Sequence, residues 1–412
     1  MMVMGSLLIL TTIAVEFAYN SHISYQLASS ERDRLKAYYL ARSAFNLVRL
    51  QIRYEKDIRA RYAGLLKNFS GNNGVSSDPL CKQIPLSTEL LKGITSGALL
   101  GDQEDKKGTQ EGEDKKKGPV LDKSAIAGKI EDSKFAVGAE DFLSFSGDFQ
   151  ASCDTEERKI NLNIFRNDPI SAGTTTTATT DSPLSVYDVQ KALLFSLMSQ
   201  KDFEPIFKGK PDMIRKVVNA IADWADRDDR INEAPGVSGS AEDSLYTDPK
   251  YHYKVKNGKY TSVEELLLVA GVGDAVYQKL EPEVTVYGDN KINLCQASQE
   301  MVKAFIIKTA QTTPGLPLIN PDDTSRWASI FLAIKTACND PLPQVGTIAA
   351  AVSMALQAQA IPGLANLLTT TSRFYRIETT GAVGDSHVRL TAVLDSAQKD
   401  PKLWKTVYFR EE

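Results

Sequence analysis

The chain has 412 residues, enough for two or three domains, and an apolar content of 42% that allows a sizeable core. Its formal net charge of −4 argues against a general nucleic-acid surface. The cysteines Cys81, Cys153, Cys295 and Cys338 form no CxxC pair, which argues against a zinc site. Outside the cytoplasm they permit one or two disulfides, with the pairing left open.

From Met1 to Val15 the chain is apolar or small, and Glu16 is its first charge. A bilayer core takes about 20 apolar residues of helix, and Met1 to Tyr19 nearly supplies them. Ile23, Leu27, Leu35, Tyr38, Phe45, Val48 and Ile52 then recur at three- and four-residue steps, and no proline occurs before Pro79. The expectation is one helix over residues 1–69. Its first third lies in a membrane or in the apolar core of a filament. Nine basic residues and four acids between Glu31 and Arg61 keep the outer face solvated. A cleaved signal peptide fits less well, because no Lys or Arg precedes Arg32 and the helical pattern runs past any cut.

Residues 70–134 are expected to be irregular, with turn chemistry at Asn72-Asn73-Gly74. Residues 102–118 carry six acids, five lysines and no apolar side chain, the composition of a disordered loop. Alternating residues in 135–170 suggest the first part of a sheet. A hairpin is expected there, Gly147–Cys153 with Arg158–Asn163, turning at Thr155-Glu156-Glu157.

After a Thr-rich loop the period becomes helical, and 184–368 reads as almost entirely α. Candidate helices cover Tyr187–Ser199, Asp212–Asp226, Val263–Ala270, Gln299–Thr309, Ser325–Thr336 and Val345–Ala358. Ser262 with Glu265 three residues on is a capping-box signature. Residues 373–412 return to alternation, with strands at Arg373–Thr379, Ser386–Asp395 and Trp404–Arg410. Gly381 and Gly384 are expected in the first turn. Strands thus flank a helical block on both sides. The fold class expected is α+β, one antiparallel sheet interrupted by an inserted α domain.

The densest chemistry lies in residues 219–248, where Asp223, Asp226, Asp228, Asp229, Glu233, Glu242, Asp243 and Asp248 face only Arg227 and Arg230. Clustered carboxylates repel unless a cation or arginine sits between them, and hard oxygen ligands suit Ca²⁺. The EF-hand pattern fails, since a loop starting at Asp226 has Ile231 where Gly is wanted and Val237 where Glu is wanted. A solvated acidic loop capped by its own arginines is the alternative. No GxSxG, P-loop or HExxH occurs, and His22, His252 and His387 are far apart, so no enzyme is expected. The segment around Gly271-Val272-Gly273 has the form of a helix-hairpin-helix. Glu264, Glu265 and Asp274 oppose phosphate there, which favours a packing motif over a nucleic-acid reader. The rival function is a membrane-anchored helix-hairpin-helix nucleic-acid-binding protein of DNA uptake.

Several stretches, taken together, resemble one family. They are TTIAVEFAYNSHISYQLA and ERDRLKAYYLARSAFNLVR near the start, DTEERKINLN at Asp154–Asn163, and DWADRDD at Asp223–Asp229. GSAEDSLY at Gly239–Tyr246, SVEELLLVAGVG and VTVYGDNKINLCQAS follow in order. The family is general secretion pathway protein K, the large minor pseudopilin of type II secretion. The resemblance implies a pilin-like fold, with the long N-terminal helix packed on an antiparallel sheet. Into that sheet is inserted an α domain of two SAM-like units, about 184–290 and 291–368.

The resemblance also implies a non-catalytic subunit at the pseudopilus tip. Its implied partners are the minor pseudopilins I and J, which together with it start assembly. The inner-membrane assembly platform and the prepilin peptidase are implied as well. So is a single-pass inner-membrane location with the body in the periplasm. Calcium in the family implies a structural Ca²⁺ with ligands among Asp226, Asp228, Glu242 and Asp243. The family's basic leader and its processing glycine are not visible here, and aligning the VEF stretch puts the mature start a few residues upstream of Met1. No acid occurs before Glu16, which fits a tip subunit better than a shaft subunit.

Overall fold

The structure, a computed structural model, describes residues 2–69, 77–95, 145–167, 186–234, 237–247, 251, 253–340, 342–398 and 400–412. Helix α1 (Met2–Phe69) is continuous over 68 residues. From Ala37 onward its inner face is set by Ala37, Ala41, Ala44, Phe45, Val48 and Ile52, all buried at three- and four-residue steps. Toward the N-terminus its apolar side chains, Leu7, Ile9, Leu10 and Ile13 among them, are exposed. Among the described residues no helix is long and apolar enough to cross a membrane.

The buried face of α1 lies on a five-stranded antiparallel sheet. Helix α2 (Leu80–Gln83) precedes β1 (Leu86–Ser87) and α3 (Thr88–Thr95). Strands β2 (Asp148–Thr155), β7 (Phe374–Val383), β8 (Ser386–Asp395) and β9 (Lys405–Glu411) complete the order β1-β2-β7-β8-β9. Cys153, Phe149, Ile377, Ala392 and Leu394 meet Phe45, Val48 and Ile52 in one core. A disulfide, Cys81–Cys153, fastens α2 to β2.

Between β2 and β7 the chain builds a second body. It runs through β3 (Ile160–Asn161), α4 (Val186–Met198), α5 (Glu204–Phe207), α6 (Pro211–Asp223), β4 (Arg230–Ala234) and β5 (Val237–Ala241). It continues through α7 (Asp274–Leu280), β6 (Val284–Thr285), α8 (Gln299–Thr312), α9 (Thr324–Cys338) and α10 (Val345–Ala355). One hydrophobic core reaches from Ile160 to Leu368, so the two expected helical units share it. A second disulfide, Cys295–Cys338, ties the segment before α8 to the end of α9. The architecture is α+β, with a long N-terminal helix on an antiparallel sheet and a largely helical insertion.

Four details differ from the sequence reading. The hairpin at Gly147–Cys153 and Arg158–Asn163 does not form. Instead β2 pairs with β1 and β7, while Ile160–Asn161 pairs in parallel with β6. The reason is the turn itself. Glu156 and Glu157 are buried rather than solvated. Glu156 binds Arg376 at 2.7 Å, and Glu157 Oε1 accepts from the amides of Arg373 and Phe374 at 2.8 and 2.9 Å. These contacts steer the chain off the sheet and into the insertion.

Second, the helical block contains the β4–β5 hairpin. Third, Gly381 lies inside β7, and the turn to β8 rests on Gly384 at φ 57°. Fourth, Ser262 makes no side-chain cap, and Val263–Leu268 is a 3-10 helix. Glu265 reaches back to the Thr261 amide instead, at 2.9 Å. The residues after it pack closely, and Gly271 at φ 83° faces Val217. The charged loop expected at 102–118 lies outside the described residues.

Candidate metal centre

Helix α6 supplies the first two carboxylates. Its buried face, Ile214, Val217, Val218 and Ile221, carries Asp223 inward at the C-terminus. Helical hydrogen bonding continues beyond it, from Trp224 N to Ala220 O and from Asp226 N to Ala222 O, each at 3.1 Å. Asp223 and Asp226 are three residues apart and share one face. The β4–β5 hairpin then returns the chain, pairing Arg230 with Ala241. Glu242 N donates to Asp229 O at 3.1 Å, which sets Glu242 over the end of α6.

Asp223, Asp226 and Glu242 are 1%, 0% and 0% exposed. Each offers an oxygen within 4.8 Å of the others. Among the described residues neither carboxylate oxygen of Glu242 has a hydrogen-bond partner. Burial, and then the charges of Asp226, Asp223, Asp228 and Asp229, push the Glu242 pKa up to about 10. Three carboxylates cannot all ionise at this separation in a dry site without a counter-charge. The cluster therefore holds a proton or a cation. Buried hard oxygens with an unpartnered carboxylate are the donor chemistry of a hard dication.

Of the four ligands expected from the sequence, Asp226 and Glu242 come together here. Asp228 flanks them; its Oδ1 accepts from Arg230 N at 2.7 Å, and its Oδ2 is buried without a partner among the described residues. Asp243 turns away to an ion pair with Lys254 at 3.1 Å. Asp223 is the third carboxylate of the cluster. The signal for Asp223 was the Asp-x-x-Asp spacing at a helix end, which puts both acids on one face. Arg227 and Arg230, expected to cap the loop, are exposed.

Aromatic residues wall the cluster. Tyr187 Oη donates to Asp226 Oδ2 at 3.4 Å. Trp224 packs on Tyr246 and Tyr253 with ring centroids at 5.8 and 6.1 Å. Trp224 Nε1 donates to Glu265 at 3.3 Å. Burial works against the Glu265 charge, but hydrogen bonds from Lys256, Thr261 and Trp224 outweigh it and bring the pKa down to about 2.

Residues 159–289, which contain this cluster, match the model of the family described as Type II secretion system (T2SS), protein K. This is the family the sequence resembles. The Type II secretion system protein K of Aeromonas hydrophila is 28% identical over 194 residues, 46% of this chain and 52% of that protein. The chain thus spans about half the length of the curated relative it matches. A chain in the solved GspK–GspI–GspJ complex from the enterotoxigenic Escherichia coli Type 2 secretion system is also similar. The match covers 65% of this chain and 80% of that one, with a TM-score of 0.41 and 14% identity.

Proposed function

We propose that this chain is a non-enzymatic minor pseudopilin K of a type II secretion system. The observation that carries the reading is the match of residues 159–289 to the protein K family. The rest of the chain supports it, because a 68-residue helix packed on an antiparallel sheet suits a subunit of a helical-core filament. In this reading the exposed apolar start of α1 rests in the inner membrane and the body lies in the periplasm. On assembly that segment moves into the filament core. A bulky insertion between β2 and β7 would clash in a packed shaft, so the subunit belongs at the tip. There it joins minor pseudopilins I and J and starts assembly for protein export, working with the inner-membrane platform and the prepilin peptidase.

A structural Ca²⁺ belongs to the same proposal. Asp223, Asp226 and Glu242 would hold it, with Asp228 beside them. It would supply the positive charge that lets the carboxylates ionise together, fixing the β4–β5 hairpin to the end of α6. The whole reading is tested by removing the chain from its host. Export through the system and pseudopilus assembly should stop and return on complementation; unchanged export would contradict it.

A further inference from the structure

Among the described residues the sheet and the insertion do not share a core. Buried apolar residues of the insertion form one cluster, and those between α1 and the sheet form others. The chain crosses between the two bodies twice, at residues 155–160 after β2 and at residues 368–374 before β7. Glu157 holds the crossings side by side through the amides of Arg373 and Phe374. Two adjacent crossings without a common apolar core leave relative motion of the bodies as the default. Room for that motion exists. A cleft separates Arg53, Tyr54 and Asp57 of α1 from Leu342, Pro343 and Gln344 of the insertion.

A third segment closes the joint. Residues 77–84, a strap leading into β1, are fixed to α1 and to the sheet. Leu80 N donates to Glu55 Oε1 at 3.2 Å, Arg59 donates to the Asp78 carbonyl, and the Cys81–Cys153 disulfide holds β2. From the insertion, residues 293–296 reach this strap. Ser77 Oγ donates to the Cys295 carbonyl at 3.0 Å, and Gln296 Nε2 donates to the Ser77 carbonyl at 2.8 Å. Gln296 Oε1 accepts from Thr155 Oγ1 at 2.6 Å and from Ser372 Oγ at 3.2 Å. One side-chain amide thus binds both crossings and the strap. Its orientation is fixed, because the Ser77 carbonyl can only accept and must face the amide nitrogen. The turn that carries it is held as well. Asn293 N donates to the Glu157 carbonyl at 2.8 Å, Gln296 N donates to the Asn293 carbonyl at 3.1 Å, and Cys295 is bonded to Cys338 of α9.

We propose that Gln296 is the latch of this joint. It couples α1, through the strap, to the insertion, so that the insertion keeps one orientation relative to the long helix. Loss of the latch frees the insertion to rock on its two crossings and into the cleft beside α1. The coupling is specific to the amide. Its oxygen and its nitrogen have separate partners, so neither an apolar side chain nor a carboxylate of the same size replaces it. The inference rests on the joint alone and stands independently of the function proposed above.

The test is a distance distribution between two spin labels on the full chain in detergent micelles. One label sits at Asn46→Cys on α1 and the other at Leu332→Cys on α9, both exposed positions. The native cysteines are paired and take no label. The latched chain should give one narrow distribution. Gln296→Ala should at least double its width. Gln296→Glu near pH 8, which cannot donate to the Ser77 carbonyl, should do the same. Ser77→Ala removes only the hydroxyl donor and should broaden the distribution less; it reads the same joint if the Gln296 variants fail to fold in circular dichroism melts. Gln200→Ala is the control. It removes a bond that stays inside the insertion, from Nε2 to the Glu300 carbonyl at 2.7 Å, and should leave the width unchanged. A broad distribution before any change at Gln296 would overturn the proposal. So would folded Gln296 variants as narrow as the native joint, or equal broadening from Gln200→Ala.

Discussion

A Cβ added to Gly381 would lie 2.0 Å from the carbonyl oxygen of Ala37 and 2.8 Å from the amide nitrogen of Ala41. At this point the main chains of α1 and β7 touch, and the buried alanines of α1 exist to allow it. Both neighbours are backbone, so they cannot rotate away. Gly381→Ala must push the helix off the sheet and should cost at least about 1–3 kcal/mol, the usual range for overpacking. Gly346→Ala is the control: nothing lies within 4 Å of its Cβ position, and a helical Gly→Ala change should be neutral or gain up to about 1 kcal/mol. Chemical denaturation of the two variants checks the contrast.

Glu242 gives a second prediction. Without a cation its pKa near 10 keeps it protonated at neutral pH, and ionisation costs the folded state more as pH rises from the ordinary carboxyl range toward 10. A cation must displace that proton. Calcium affinity should therefore strengthen as pH rises from 7 to 9, with protons released on binding. Calorimetry in buffers of different ionisation enthalpy would detect the release. Chelator should lower the melting temperature of the wild type and leave Glu242→Gln unmoved. Terbium in place of calcium should emit on excitation of Trp224, which adjoins Asp223 in the chain.

Glu157 is expected to titrate near neutrality. Burial raises its pKa from 4.5 to about 7, against the amides of Phe374 and Arg373, which favour the charged form. A raised carboxyl pKa means the folded state holds the proton more tightly. Its stabilising effect is complete below pH 4.5 and lost as pH rises through about 7. The span corresponds to about 3 kcal/mol at most. Glu157→Gln should flatten the stability profile between pH 4.5 and 7, keeping an acceptor for the two amides. A profile unchanged from wild type would show that another group carries the dependence.

The disulfides give a third stability test. Cys81–Cys153 closes a sequence separation of 72 and Cys295–Cys338 one of 43. Loop entropy alone assigns each about 4 kcal/mol, and measured losses are usually 2–4 kcal/mol. Paired Cys→Ala variants should each unfold at lower denaturant than wild type. The first should loosen α2 from β2, and the second should loosen α9 from the segment before α8. Hydrogen exchange in those segments would tell the two losses apart.

What could be read from the sequence was local. Of the apolar stripe read along α1, Phe45, Val48 and Ile52 face the sheet while Ile23, Leu27 and Leu35 are exposed, and strands β7 to β9 follow from alternation around Gly384. The contacts that were missed are distant in sequence. Glu156 and Glu157 look like a solvated turn until Arg376 and the amides of Arg373 and Phe374 arrive more than 200 residues later. Asp243 looks as good a ligand as Glu242, and only the fold brings Lys254 to it. Gly381 looks like a turn residue because its true partner, Ala37, belongs to another element.

The proposed function makes this chain one of three proteins in a pseudopilus tip. Co-expression of the full chain with the minor pseudopilins I and J of its own secretion system, followed by detergent purification and native mass spectrometry, tests it directly. One complex with all three subunits, recovered through a tag on any of them, is expected. Recovery of this chain without either partner would contradict it.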